Sequence, residues 1–223
     1  MKECKKNRIV SWIMFYTLRI KRIVYLFASL FVIHCDHKQK ANNEIFFALM
    51  TPTLGMFGDS IMALWPAETQ LKPFVIIKNA FPVRTTSDIL EAVKNDKSHY
   101  TACLYNGGVN DFLGNFTPQD NEIRNTIVNQ LQTIPLLLER CDHVLVLNTW
   151  YVEFPWPSEA VLRINKSMKE SIVTVPRLDL ESYIKKSDLL DGGHLTEIGY
   201  NKISNLTLEH FRTKIPWIDF VPR

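Results

Sequence analysis

The stretch Gly55-Met56-Phe57-Gly58-Asp59-Ser60-Ile61-Met62-Ala63-Leu64-Trp65 is an apolar run that stops at Gly-Asp-Ser and resumes with helical character. A short strand leading straight into a helix is the repeating unit of α/β folds, so this stretch decides the fold class. The serine at the joint has three competing explanations. It can cap the helix by accepting an orphan amide, belong to an Asx-type turn built on Asp59, or act as a nucleophile held at a helix N-terminus. The rest of the chain decides among them.

Working outward, short apolar runs alternate with helical patterns. Strands are expected over 54–57, 74–78, 101–105, 143–148 and 171–175, and helices over 61–70, 86–95, 122–140, 158–170 and 196–211. The third helix is the clearest, because Ile123, Ile127, Leu131, Ile134 and Leu138 fall on one stripe at helical spacing. Pro135 is expected to kink or break its last turn. Five strand–helix alternations predict an α/β fold, with a parallel sheet carrying helices on both faces. Such sheets bind ligands at the carboxyl ends of their strands, beside the point where strand order reverses. Gly58-Asp59-Ser60 ends the first expected strand and Gly107-Gly108-Val109-Asn110-Asp111 ends the third, so both motifs are expected to face one crevice.

A chain of 223 residues that is 46% hydrophobic suits one domain with a well-filled core. The formal net charge is +3, yet seven Lys or Arg residues and a single Glu fall within residues 1–22, which leaves the remainder mildly acidic. An acidic body without a basic stripe excludes nucleic acid as a partner. The basic start is followed by an apolar run, Ile23–Ile33, ending near Cys35. This run is too short for a membrane span of about 20 residues and matches a secretory signal. Residues 1–34 are therefore expected to be a signal peptide, with Met14 an alternative start, 35–53 a tether and 54–223 the folded domain. Cys35 resembles the lipidated cysteine of bacterial lipoproteins, which predicts an exported protein held to the membrane by its signal or by a lipid anchor. Cys103 and Cys141, in apolar surroundings, are expected to be buried free thiols.

A nucleophilic Ser60 needs a base, the base needs an orienting group, and the oxyanion needs donors. Near the C-terminus, Asp191-Gly192-Gly193-His194 places a carboxylate three residues before an imidazole in a glycine-rich loop. That spacing lets the carboxylate hold one ring nitrogen while the other faces a serine. Asn110 offers a neutral donor. The chain lacks the paired His or Cys spacing of a metal site, so neither metal nor cofactor is expected.

These blocks resemble the SGNH hydrolases, the GDSL-type esterases and lipases. Gly58-Asp59-Ser60 is similar to that family's first block, Gly108-Val109-Asn110-Asp111 to its third, and Asp191-Gly192-Gly193-His194 with Gly199-Tyr200 to its fifth. The resemblance implies a flavodoxin-like three-layer α/β/α sandwich with a five-stranded parallel sheet. It also implies a serine ester hydrolase with Ser60, His194 and Asp191 as its triad, and Ser60 and Asn110 in the oxyanion hole. The family's second block supplies a glycine amide, but Lys78–Thr86 contains no glycine. Arg84 falls at that position, with Val83 the neighbouring alternative, and its guanidinium is expected either to select an anionic ester or to tie to Asp88.

The stretch Thr149–Pro157 holds four aromatics, among them Trp150 and Tyr151, which form either a substrate wall or a packed cluster under the loop. The expected substrate is an O-acyl carbohydrate or a lipid ester. An O-acyltransferase using the same residues and a non-catalytic surface binding module are the rival functions.

Overall fold

The computed structural model describes residues 51–150, 152–171 and 174–220. The expected signal segment, Cys35, most of the tether and Tyr151 lie outside the described residues. Strands β1 (Thr53–Gly58), β2 (Val75–Ala80), β3 (Tyr100–Tyr105), β4 (Cys141–Leu147) and β5 (Arg177–Leu178) form one parallel sheet in the order β2-β1-β3-β4-β5. The chain builds outward from β1 to β2 and then crosses back to β3. The carboxyl ends of β1 and β3 therefore flank the reversal point, where side loops diverge and leave a crevice.

The helices are α1 (Ser60–Ala63), α2 (Ala67–Gln70), α3 (Thr86–Asn95), α4 (Asp120–Leu138), α5 (Ser158–Ser171) and α6 (Glu197–Lys214). Strand periodicity assigns them to two faces. Leu54, Met56, Ala102, Leu104 and Leu145 pack with Ile61, Met62, Ile203 and Phe211, from α1 and α6. Phe57, Tyr105, Val144 and Val146 point the other way, onto Ile89 of α3, Ile127 and Ile134 of α4 and Ile164 of α5. The result is the expected three-layer α/β/α sandwich.

Three local expectations are corrected. Residues 61–70 form two short helices, α1 and α2, because Pro66 disfavours helical backbone at Trp65. α4 is not broken at Pro135 and continues to Leu138, with the Glu139 amide donating to the Pro135 carbonyl at 3.1 Å. The fifth strand is not at 171–175. α5 extends to Ser171, and the ladder with β4 begins only where Val146 donates to the Pro176 carbonyl at 3.1 Å.

Cys103 and Cys141 are joined in a disulfide across 38 positions, with Cα atoms 5.9 Å apart, so they are not free thiols. Their apolar surroundings gave the burial correctly, 0% and 4% exposed, but a one-dimensional pattern does not show that β3 and β4 are neighbours. A closed loop of this length restricts the unfolded chain by about 4 kcal/mol. Reduction, or the Cys103→Ala/Cys141→Ala pair, is expected to lower the urea midpoint substantially. Equal midpoints for the oxidised and reduced protein would contradict a structural disulfide.

Candidate active site

At the carboxyl end of β1, Asp59 is the N-cap of α1, its Oδ1 accepting the Ile61 amide at 2.9 Å. The capping task at this joint thus belongs to Asp59, and the Ser60 hydroxyl is left for another partner. The turn is tight, since a Cβ on Gly58 would stand 2.6 Å from Met62 Cγ and 2.7 Å from the Asn106 carbonyl oxygen. Burial pushes the Asp59 carboxyl up to about 7, against the lowering effects of the Ile61 amide and of His194.

His194 comes from the far end of the chain, in the loop before α6, whose N-cap Thr196 accepts the Gly199 amide at 3.2 Å. Its Nε2 lies 2.9 Å from Ser60 Oγ, and its Nδ1 lies 2.7 Å from Asp191 Oδ2. The other carboxylate oxygen, Oδ1, accepts the His194 amide at 2.8 Å and the Gly193 amide at 3.1 Å, so the carboxylate is held at both ends. Burial raises the Asp191 pKa, but the hydrogen bonds from the His194 ring and from the two amides outweigh it and hold the carboxyl below its ordinary value. An ionised Asp191 accepts from Nδ1–H, which leaves Nε2 as the acceptor for the Ser60 hydroxyl proton. Sequence spacing alone placed Asp191 and His194 together; the fold adds Ser60, 134 positions away.

Asn110 opens a 3₁₀ turn, Asn110–Phe112, just past β3. Its Nδ2 donates to the Arg84 carbonyl at 3.0 Å, which pins the second block beside the third and spends one of its two N–H groups. Among the described residues, the Ser60 and Arg84 amides have no protein acceptor. The left-handed backbone that often requires glycine falls at Val83, with φ +67°, while Arg84 directly precedes the α3 cap Thr85. The Arg84 guanidinium folds back on its own strand end. Its Nη1 donates to the Asn79 carbonyl at 2.9 Å and to Asn79 Oδ1 at 3.2 Å, and the group sits 4.6 Å over the Phe81 ring. The guanidinium is thus engaged by its own neighbours and not by Asp88, the acidic partner expected from the sequence.

Asp111 fastens this arrangement, accepting the Thr86 amide at 3.0 Å and the Thr126 hydroxyl at 3.1 Å. If Asn110 is an oxyanion donor, Asn110→Ala is expected to lower kcat by about 10²- to 10³-fold with little change in KM. Steady-state kinetics on a chromogenic ester measures this, and a rise in KM alone would make Asn110 a ground-state contact.

The aromatic stretch after β4 is only partly what the sequence suggested. Trp150 is fully buried and its indole N–H donates to the Gly193 carbonyl at 2.8 Å, so it cannot form a substrate wall. Trp156 is also buried, while Phe154 is 81% exposed and stacks on Phe116 at 5.6 Å. Sequence reasoning missed the use made of Trp156, Asp111 and Phe116. A proline-stiffened run of tryptophans was visible, but which loop it touches is decided by the sheet order.

No protein-family profile matches the sequence, and no curated protein matches it. Solved structures do match. A member of the lipolytic G-D-S-L family from Veillonella parvula aligns at TM-score 0.60 and 14% identity, over 71% of this chain and 97% of its own. A GDSL-like lipase from Bacteroides thetaiotaomicron aligns at 0.57 and 17%, over 81% and 99%. The chain has the fold of the GDSL-type lipases. An acetyl xylan esterase shares this GDSL-type fold at 0.55 and 16%, over 71% and 98%. The fold that the three sequence blocks implied is therefore present, with Gly58-Asp59-Ser60 and Asn110 just past the carboxyl ends of β1 and β3, and His194 in the loop before α6.

Proposed function

We propose that this chain is an exported serine hydrolase that cleaves a carboxylic ester by two-step acyl transfer. The observation that carries the proposal is the unbroken relay from Ser60 Oγ through His194 to Asp191, at 2.9 and 2.7 Å. His194 Nε2 takes the hydroxyl proton as Ser60 Oγ attacks the ester carbonyl, and Asp191 stabilises the imidazolium that forms. The same proton then passes to the leaving alkoxide, releasing the alcohol and leaving an acyl-Ser60. Water repeats the sequence and releases the acid. The negative charge on the carbonyl oxygen meets the Ser60 amide, the Arg84 amide and Asn110 Nδ2, donors already fixed before substrate arrives.

The acetyl xylan esterase among the structural neighbours makes acylated carbohydrates the first substrates to assay, with acyl lipids second. Purified protein is incubated with acetylated glycans and with acyl esters of graded chain length, with and without an added alcohol. Released acid supports hydrolysis, transfer to the added alcohol redirects the proposal to an O-acyltransferase, and neither product contradicts both. The disulfide supports passage through an oxidising compartment, as the basic and apolar N-terminal segment also suggests. Intact mass of the native protein is expected to show a chain beginning at a lipidated Cys35. A full-length unmodified chain recovered from the cytoplasm would contradict export.

A further inference from the structure

The loop that carries Asp191 and His194 has no regular secondary structure beyond one antiparallel bridge, Leu189 to Leu195, yet each of its four carbonyls has a donor. Three of those donors come from the segment after β4. The Trp156 indole N–H donates to the Asp191 carbonyl at 3.1 Å, the Glu153 amide to the Gly192 carbonyl at 2.7 Å and the Trp150 indole N–H to the Gly193 carbonyl at 2.8 Å. The fourth is internal, with the Leu190 amide on the His194 carbonyl at 2.8 Å. A loop whose backbone is accounted for so fully has little freedom to drift.

Side-chain packing adds a second constraint from the same segment. The Trp156 ring stands edge-on to the His194 imidazole, with centroids 4.8 Å apart and planes at 87°. A Cβ at Gly193 would fall onto the Trp156 indole, and one at Gly192 would come within 3.0 Å of the Glu153 carbonyl oxygen. The two glycines are thus what lets the cradle close on the loop; Gly192 also takes φ +87°.

Resting on the reading of Ser60, His194 and Asp191 as a catalytic relay, we infer that Trp156, with Trp150 and Glu153 behind it, is a positioning cradle for His194 and Asp191. Trp156 acts on the reaction through the histidine and not by touching substrate. It fixes the imidazole plane by contact and the Asp191 backbone by its N–H. Loss of that hold lets His194 move off the line to Ser60 Oγ, and displacement on the order of 1 Å at a reacting group costs about 10²-fold in rate. This assigns the aromatic stretch to the enzyme's own machinery, opposite in kinetic consequence to a substrate wall.

Trp156→Ala and Trp156→Phe are compared with the intact protein, using kcat and KM on one chromogenic ester, the rate of Ser60 labelling by a fluorophosphonate, and thermal denaturation. Trp156→Ala is expected to lower kcat and the labelling rate together by about 10²-fold at unchanged KM. Trp156→Phe, which keeps an edge-on ring but lacks the N–H, is expected to recover part of that loss. Should Trp156→Ala fail to fold, Trp156→Phe carries the test with the same signature. A raised KM with kcat retained would overturn the inference in favour of a substrate wall, and wild-type kinetics in either folded variant would overturn it outright. Ser60→Ala, run alongside, separates these failures from a failure of the hydrolase proposal itself.

Discussion

Ser60→Ala is expected to lower ester turnover by about 10⁴- to 10⁶-fold, the usual cost of losing a covalent nucleophile. The fold should survive, because the substitution touches little that holds it. The α1 cap is Asp59, and the partner of the Ser60 hydroxyl is His194 Nε2. The His194 side chain is 20% exposed, so solvent can take the hydroxyl's place at that nitrogen and the change in stability should stay within about 0.5 kcal/mol. Turnover on a chromogenic ester, with circular dichroism and thermal melting as the folding control, measures both quantities. A variant retaining more than about a tenth of the wild-type rate would remove Ser60 as the nucleophile, since loss of a covalent nucleophile does not leave so much activity.

Asp191→Asn is the second large effect, about 10⁴-fold in kcat. The asparagine fits the same space, and its side-chain oxygen can still accept the Gly193 and His194 amides that Asp191 Oδ1 holds at 3.1 and 2.8 Å. The change falls on the other oxygen. There the carboxylate accepts from His194 Nδ1 at 2.7 Å, whereas an amide nitrogen donates, which drives the proton to Nε2 and leaves no acceptor facing Ser60 Oγ. Shape is preserved while the tautomer inverts, so KM and melting temperature should stay near wild type as kcat collapses. A drop of less than about tenfold would show that the tautomer is set by some other group, and the relay would lose its third member.

The sheet and its layers were legible because burial on both faces makes parallel strands read as apolar runs, and α3 and α4 carry strong stripes and capping residues. β5 was misplaced because it is two residues long, too short to leave a period. The pairing of His194 with Asp191 was visible as local spacing. Their meeting with Ser60 was inferred from what a nucleophilic serine requires and then from the family resemblance, since nothing local links positions 134 apart. The disulfide, the turned-back Arg84 guanidinium and the burial of Trp150 are tertiary outcomes. Each depends on which strand lies beside which. The second block shows the limit most sharply: its missing glycine raised the right question, but the strained φ sits at Val83 and the Asn110-linked peptide at Arg84, a division no single-residue alignment could make.

The most direct test of the account is to locate the site of covalent attack. The wild-type protein is treated with a fluorophosphonate, digested, and mapped by mass spectrometry. The account predicts a single adduct on the peptide containing Ser60, formed at a rate that falls by orders of magnitude in Asp191→Asn. An enzyme that turns over ester yet carries no adduct at Ser60, or carries it on a different serine, would contradict the central claim.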